Sequence, residues 1–205
     1  MARRTLLVVT EHADYLTPDR RAGYERVATE LARTSGTEVH TVHYLDGTDL
    51  AAADAVVLSG SKAPWAAHDP SALERLRDEL VACRTPVLGV CAGMQLLVEA
   101  AGGRVRPMAE TGKAPERGFG PVEVVDGDGL LDGLPGRATV FHDHADEVAS
   151  LPDSLRNLAR SESTAVQAIA SREGRWWGTQ FHPERHDAEH PDGGRVLVNF
   201  FRLAS

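Results

Sequence analysis

Pro86-Val87-Leu88-Gly89-Val90-Cys91-Ala92-Gly93-Met94-Gln95-Leu96-Leu97 is the stretch on which the chain turns. An apolar run stops at Gly89, a single Cys follows between small residues, and a helical apolar pattern then begins. This reads as strand, tight turn and helix, with the thiol at the tip of the turn. Gly89-x-Cys91-x-Gly93 has the form of a nucleophile elbow, with Cys in place of Ser. Such a turn is sharp and strained, and bulky neighbours of the nucleophile would collide with adjoining strands or substrate. The helix that follows offers unpaired N–H groups and a dipole that favour the thiolate, the nucleophilic form of Cys. A buried core Cys explains the motif equally well on its own, so the rest of the chain has to decide.

Outward from the elbow, strands and helices alternate. Upstream, Thr5 to Thr10 is a short apolar, β-branched run and reads as a buried strand. Glu11 to Asp19 is polar, and Pro18 to Thr34 places Tyr24, Val27, Ala28 and Leu31 at helical spacing before Ser35-Gly36. Strands are expected at Glu38 to Tyr44, Ala55 to Leu58 and Pro86 to Val90, and helices at Pro70 to Cys83 and Met94 to Ala101. This predicts an α/β fold: a doubly wound, mostly parallel sheet with flanking helices and its site at the C-terminal ends of the strands. Downstream the pattern changes. Arg104 to Phe119 reads as a loop, Pro121 to Val125 as a short strand, and Asp126 to Gly136 as turns without a calcium-loop register. Short strands at Thr139 to His142, Val166 to Ser171 and Trp176 to Phe181 precede a closing helix at Gly193 to Leu203. No linker or repeat marks a boundary, so residues 1–205 are expected to form a single domain.

Composition removes several function classes. The formal net charge is -8, and the only basic runs are the pairs Arg3-Arg4 and Arg20-Arg21, which disfavours nucleic acid as a partner. No apolar run is long enough to span a bilayer, and the N-terminus lacks a secretory pattern. Two Cys do not make a disulfide scaffold, so a cytoplasmic location is expected.

A Cys nucleophile needs a base, and the base needs an orienter. Nine His are available. His12, His40, His43 and His68 fall in or beside expected surface segments, and His186 and His190 in a charged loop. Two strand ends remain. Thr179-Gln180-Phe181-His182-Pro183-Glu184 offers an imidazole with a carboxylate two residues on, able to fix its tautomer. Phe141-His142-Asp143-His144-Ala145-Asp146 is the second polar strand end. The spacings of His182, Glu184, His186 and His190, and of His142 and His144, match none of the common zinc patterns, so no metal is expected.

These segments, taken together, resemble the class I glutamine amidotransferases of the triad type. Pro86 to Leu97 is similar to the family's nucleophile segment, Gln180-Phe181-His182-Pro183-Glu184 to its His and Glu segment, and Val56-Val57-Leu58-Ser59-Gly60-Ser61 to its first-half strand and oxyanion turn. Weaker echoes of the glutaminase domain of GMP synthetases lie at Gly118-Phe119-Gly120, Leu130 to Pro135 and His144-Ala145-Asp146-Glu147-Val148. The resemblance implies a flavodoxin-like fold and hydrolysis of the side-chain amide of L-glutamine, with no cofactor. It implies Cys91 as nucleophile, His182 as base and Glu184 as orienter. It places oxyanion donors at Ala92 and at the Gly60-Ser61 turn, and substrate contacts at Gln95 and at Asp143, His144, Ala145 and Asp146. It further implies a synthetase or aminating partner that receives ammonia; because the chain ends soon after its last motif, that synthetase is expected not to be fused.

Two departures stand out. Gly60-Ser61-Lys62 replaces the usual Gly-Gly-Pro or Asn-Gly-Pro, and a Ser is costly there if its φ is positive; either rearrangement by a partner or sequence drift would accommodate it. Glu11 to Arg33 does not resemble the corresponding segment of GMP or anthranilate synthetases, and is expected to contact a partner or an unusual substrate. The rival readings are a γ-glutamyl amide or peptide hydrolase on the same scaffold and a DJ-1-like Cys protein.

Overall fold

The computed structural model describes residues 3–127 and 129–205. Met1, Ala2 and Asp128 lie outside it, so one position of the expected turn region at Asp126 to Gly136 is among residues not described. The elements in chain order are β1 (Arg4–Val9), α1 (Pro18–Ser35), β2 (Glu38–His43), β3 (Ala55–Leu58), α2 (Pro70–Ala82), β4 (Val87–Val90) and α3 (Ala92–Ala100). There follow β5 (Arg104–Pro107), β6 (Glu116–Val124), β7 (Arg137–His144), β8 (Asp146–Ser150), β9 (Leu155–Arg160), β10 (Ala168–Ser171), β11 (Trp176–Thr179) and α4 (Asp192–Leu203).

Nine strands form one sheet in the order β2-β1-β3-β4-β11-β10-β9-β6-β7, and β5 pairs with β8 in a separate ribbon. The first five strands of that order are mutually parallel. The short apolar runs of β3, β4 and β11 are buried on both sides, every residue being buried, the mark of parallel strands covered by helices. On one face, Leu76 and Leu80 of α2 and Met94 and Leu97 of α3 pack down. On the other, Leu31 of α1 and Val196, Leu197 and Phe200 of α4 do so. Among the described residues no helix is long and apolar enough to cross a membrane.

Helix boundaries follow local chemistry. In α1 the Thr17 side chain accepts from the Arg20 N–H, Pro18 opens the helix, and Gly36 closes it at φ 66°. The expected helix at Met94 begins two residues earlier, at Ala92, with Cys91 as its N-cap.

The second half corrects the sequence reading. Arg104 to Phe119 is not a loop: β5 occupies Arg104–Pro107, and β6 begins at Glu116. Strand β6 alternates exposed and half-buried residues over most of its length and contains Gly118, Gly120 and Pro121. It has little intrinsic strand signal and is held by pairing along its length with β7. Strands β8 and β9 are likewise additions to the sequence reading. Their partners, β5 for β8 and β10 and β6 for β9, lie outside the local stretch that a sequence pattern covers.

Register positions the site. Gly89 of β4 sits opposite Leu58 of β3 on one side and Gly178 of β11 on the other. The three strands therefore end together, and the residues just beyond them, Ser59 to Lys62, Cys91, and Gln180 to Glu184, converge at one edge.

Candidate active site

Cys91 is the one non-glycine residue among those described with positive φ, at φ 53° and ψ −107°. Holding a side chain there costs on the order of 1–3 kcal/mol, and the surrounding bonds impose it. The Cys91 N–H donates to the Thr179 carbonyl at 2.7 Å, and the Gly93 N–H donates to the Ser59 carbonyl at 3.1 Å. Both flanking glycines are required by packing. A Cβ on Gly89 would lie 2.5 Å from the Gly93 backbone, and one on Gly93 would lie 2.5 Å from the Leu58 carbonyl oxygen. Ala92 opens α3, so its N–H is one of the helix's unpaired first-turn donors.

His182 follows β11 and is fixed by its backbone N–H, which donates to the Phe141 carbonyl at 2.8 Å. Its Nδ1 lies 2.7 Å from Glu184 Oε1. A Cβ on Gly60 would come within 2.9 Å of His182 Cε1 and 3.4 Å of the Cys91 Cβ, so imidazole and thiol flank the same glycine. Burial alone would lower the pKa of His182. The Glu184 carboxylate and the adjacent Cys91 sulfur outweigh it and raise the value to about 10.

The turn after β3 differs from expectation. Ser61 has no positive φ, so the anticipated strain is absent; instead, its side chain anchors the turn. Ser61 Oγ donates to Glu11 Oε1 at 2.8 Å, and the N–H groups of Lys62 and Ala63 donate to the same carboxylate at 2.9 and 3.0 Å. Arg20 pairs with Glu11 at 2.9 Å, and Glu11 is completely buried. Burial pushes the Glu11 carboxyl up, but the donors from Lys62, Ser61 and Ala63, together with Arg20, hold it below its ordinary value. At the other side of Ser61, the Gly60 carbonyl accepts from Tyr24 Oη at 3.0 Å and Ser59 Oγ at 2.9 Å. The N-terminal stretch thus grips this turn from within the chain through Glu11, Arg20 and Tyr24.

A cavity of about 410 Å³ opens beside Cys91, lined by Ser61, Lys62, Trp65, Ala92, Gln95 and the 143–146 segment. The expected site residues around it serve different ends. Gln95 is buried, its amide accepting from Trp65 Nε1 at 3.0 Å and donating to Gln180 Oε1 at 3.1 Å. Gln180 Nε2 in turn points at Cys91 Sγ, 3.7 Å away. Asp143 is occupied by Lys62 at 2.5 Å, Arg117 at 3.0 Å and Arg185 at 3.4 Å. The Ala145 carbonyl accepts from the Met108 N–H. The His144 ring faces Glu116 and the Asp146 carbonyl. Asp146 is among the residues that line the cavity, and burial raises the pKa of its carboxyl. Of the histidines weighed as ligands, His186 pairs with Glu30 and His190 with Asp187.

Sequence reasoning missed Glu11, Tyr24 and Lys62. It also set aside His68, which is buried against Ser61 and Tyr44. One signal was available for Glu11: it sits just past the C-terminal end of a parallel strand, the edge where such sheets place functional groups.

Residues 17–204 match the family described as Glutamine amidotransferase class-I. The chain is 42% identical over 153 residues to a glutamine-hydrolyzing GMP synthase of Thermus thermophilus, covering 73% of this chain and 28% of that protein. It is 36% identical over 185 residues to the enzyme of the same name from a Thermotoga species, covering 90% of this chain and 34% of the relative. It therefore spans about a third or less of the length of these curated relatives. The crystal structure of a Thermoplasma acidophilum protein described as a GMP synthase subunit superposes with a TM-score of 0.81 at 27% identity, covering 100% of this chain and 94% of that one.

Proposed function

The chain belongs to the class-I glutamine amidotransferases, and on that premise we propose that it hydrolyses the side-chain amide of L-glutamine and hands the ammonia to a separate synthetase or aminating enzyme. The observation that carries this reading is that the Cys91 thiol, which lines the cavity, and the His182 imidazole held by Glu184 flank the same glycine, Gly60. His182 holds the proton taken from the thiol before attack, as an imidazolium backed by Glu184, and Cys91 Sγ adds to the amide carbon as the thiolate. The tetrahedral intermediate collapses as His182 returns a proton to the leaving nitrogen, giving ammonia and a Cys91 thioester. Water then adds to the thioester carbonyl, releasing glutamate and restoring the thiol. The oxyanion is met by the Ala92 N–H and by the N–H of Ser61. Asp146 receives the substrate's α-amino group. Residues 1–205 act as one glutaminase domain.

The experiment is direct. Purified chain incubated with L-glutamine should release glutamate and ammonia in equal amounts, and hydroxylamine should trap the acyl group as the γ-hydroxamate. Release from γ-glutamyl peptides in preference to free glutamine would overturn the assignment in favour of a γ-glutamyl hydrolase.

Two further outcomes follow from the turn. Glu11→Ala removes the common acceptor of Ser61, Lys62 and Ala63. It is expected to lower kcat roughly tenfold to a hundredfold with little change in KM, since loss of a whole oxyanion donor costs about 10²–10³. Steady-state kinetics with glutamine checks this; a change confined to KM would count against the role. Gly60→Ala drives a methyl group into the imidazole. Displacing His182 by a fraction of an ångström is expected to cost on the order of tenfold to a hundredfold in kcat, while thermal melting stays near wild type.

A further inference from the structure

A second cluster lies behind the 143–146 segment. Glu116, His142 and His144 bring one ligand atom each to within 4.8 Å of one another. His144 Nε2 is 2.8 Å and His142 Nδ1 3.8 Å from Glu116 Oε2. Both histidines are buried. Neither of these two nitrogens makes a directed hydrogen bond among the described residues. The opposite sides of the rings are held: His144 Nδ1 faces the Asp146 carbonyl at 3.0 Å, so it must carry the proton. On His142 the Nε2 side of the ring lies against Gly120, where an added Cβ would be 3.5 Å from Nε2.

With its Nδ1 used as a donor, His144 turns the Nε2 lone pair toward a carboxylate oxygen, and His142 Nδ1, without a hydrogen bond, lies beside the same oxygen. Two acceptors then face one another, which is unfavourable unless a cation or an extra proton sits between them. The surroundings are arranged as they are at metal centres, where ligating imidazoles donate outward to carbonyls and ligating carboxylates are themselves hydrogen-bonded. Ser161 and Ser163 donate to Glu116 Oε1 at 2.7 and 2.6 Å, and Thr164 and Gln167 donate to Oε2. The observed separations bracket the roughly 3.3–3.5 Å between ligand atoms of a tetrahedral ion with bonds of about 2.0–2.2 Å. There is also a route in, because Glu116, Ser161 and Ser163 line an open surface cleft.

We propose that Glu116, His142 and His144 form a binding site for a divalent transition-metal ion of the zinc type, with water completing the shell. Two imidazoles and one carboxylate suit zinc in preference to magnesium or calcium. The ion would stitch β6 to β7 beside the substrate cavity, since Glu116 and His144 are opposite one another in the ladder. It would take no part in the Cys91 chemistry.

The probe is Zn²⁺ itself, titrated calorimetrically into the full chain carrying Cys91→Ala, so that the thiol cannot compete as a ligand. Saturable binding of one ion per chain is expected, weakened at least tenfold by His142→Ala and by Glu116→Gln. Nitrogen NMR of the imidazole rings on the same Cys91→Ala protein needs no substitution in the cluster. One equivalent of Zn²⁺ should shift the ring signals of His142 and His144 and leave His182 unmoved. Absence of saturable binding, binding that survives both substitutions, or ring signals of His142 and His144 unchanged by Zn²⁺ would overturn the site. Detection of a doubly protonated His144 ring that Zn²⁺ fails to deprotonate would identify the cluster as an imidazolium–carboxylate pair instead.

Discussion

Cys91→Ala is expected to reduce glutamine hydrolysis by about 10⁵- to 10⁶-fold, the scale on which removal of a catalytic nucleophile acts. The loss should be chemical, without a loss of fold. Alanine keeps the strained φ of 53° and removes only a sulfur from a buried corner. The elbow's anchors are backbone groups of Thr179, Ser59 and Gly93, which the substitution leaves in place. Glutamine should still bind to the variant with an affinity near the wild-type KM, as measured by calorimetry. The strain supplies an independent check. Cys91→Gly, equally inactive, should be more stable than Cys91→Ala by about 1–3 kcal/mol, because glycine tolerates this conformation. Equal denaturant midpoints for the two variants would show that the turn relaxes on losing the thiol. Undiminished hydrolysis by Cys91→Ala would remove Cys91 from the mechanism.

Glu184→Gln is expected to lower kcat by about 10²- to 10⁴-fold, by analogy with the general cost of disturbing a triad's orienting carboxylate. An amide in place of the carboxylate no longer favours imidazolium. It can also present its NH₂ to Nδ1 and select the wrong tautomer. The pH dependence makes the prediction specific. In the wild type His182 has a pKa raised to about 10, with Glu184 the leading cause on the raising side against the opposing effect of burial. The proton given to departing ammonia therefore stays available until the pH passes that value, and kcat/KM should fall above it. Without the carboxylate, the alkaline limb should move to lower pH. Stability follows the same sign. A pKa raised in the folded state contributes stability that is fully present below the unfolded value near 6.5 and is lost as pH rises through about 10. Thermal melts of the wild type should show that loss on the alkaline side, and Glu184→Gln should lack most of it. An alkaline limb in the same place for both proteins would separate His182 from the Glu184 carboxylate.

The two halves of the chain were unequally legible. In the first half β3 and β4 are short apolar runs buried on both faces, and α1 and α2 carry their own side-chain caps, so local sequence suffices: Ala55–Leu58 coincides with its reading. The closing helix, at the far end of the chain, differs from its reading by one residue because its amphipathic spacing is also local. In the second half, strands such as Glu116–Val124 and Leu155–Arg160 are partly exposed and carry charge or glycine. They are strands because distant segments pair with them, and a single stretch of sequence does not carry that information.

The site divides along the same line. Cys91, His182 and Glu184 were legible because each lies within a few residues of the end of its own strand, where a parallel sheet exposes its chemistry. The support of the turn after β3 was not. Ser61 and Glu11 are fifty positions apart, and nothing near Ser61 shows that a buried carboxylate waits to accept its hydroxyl and the next two amides. The same holds for Lys62 with Asp143 and for Glu116 with His142 and His144, groups joined only through strand order. The sequence by itself determined the Cys91 turn between strand and helix, the strand-end His182 with Glu184 beside it, and the class of sheet that carries them, because strand, turn and helix periodicity are local properties. Only the tertiary structure decided that the turn after β3 is gripped from within the chain, because the alignment of β1 beside β3 brings Glu11 to the backbone of that turn.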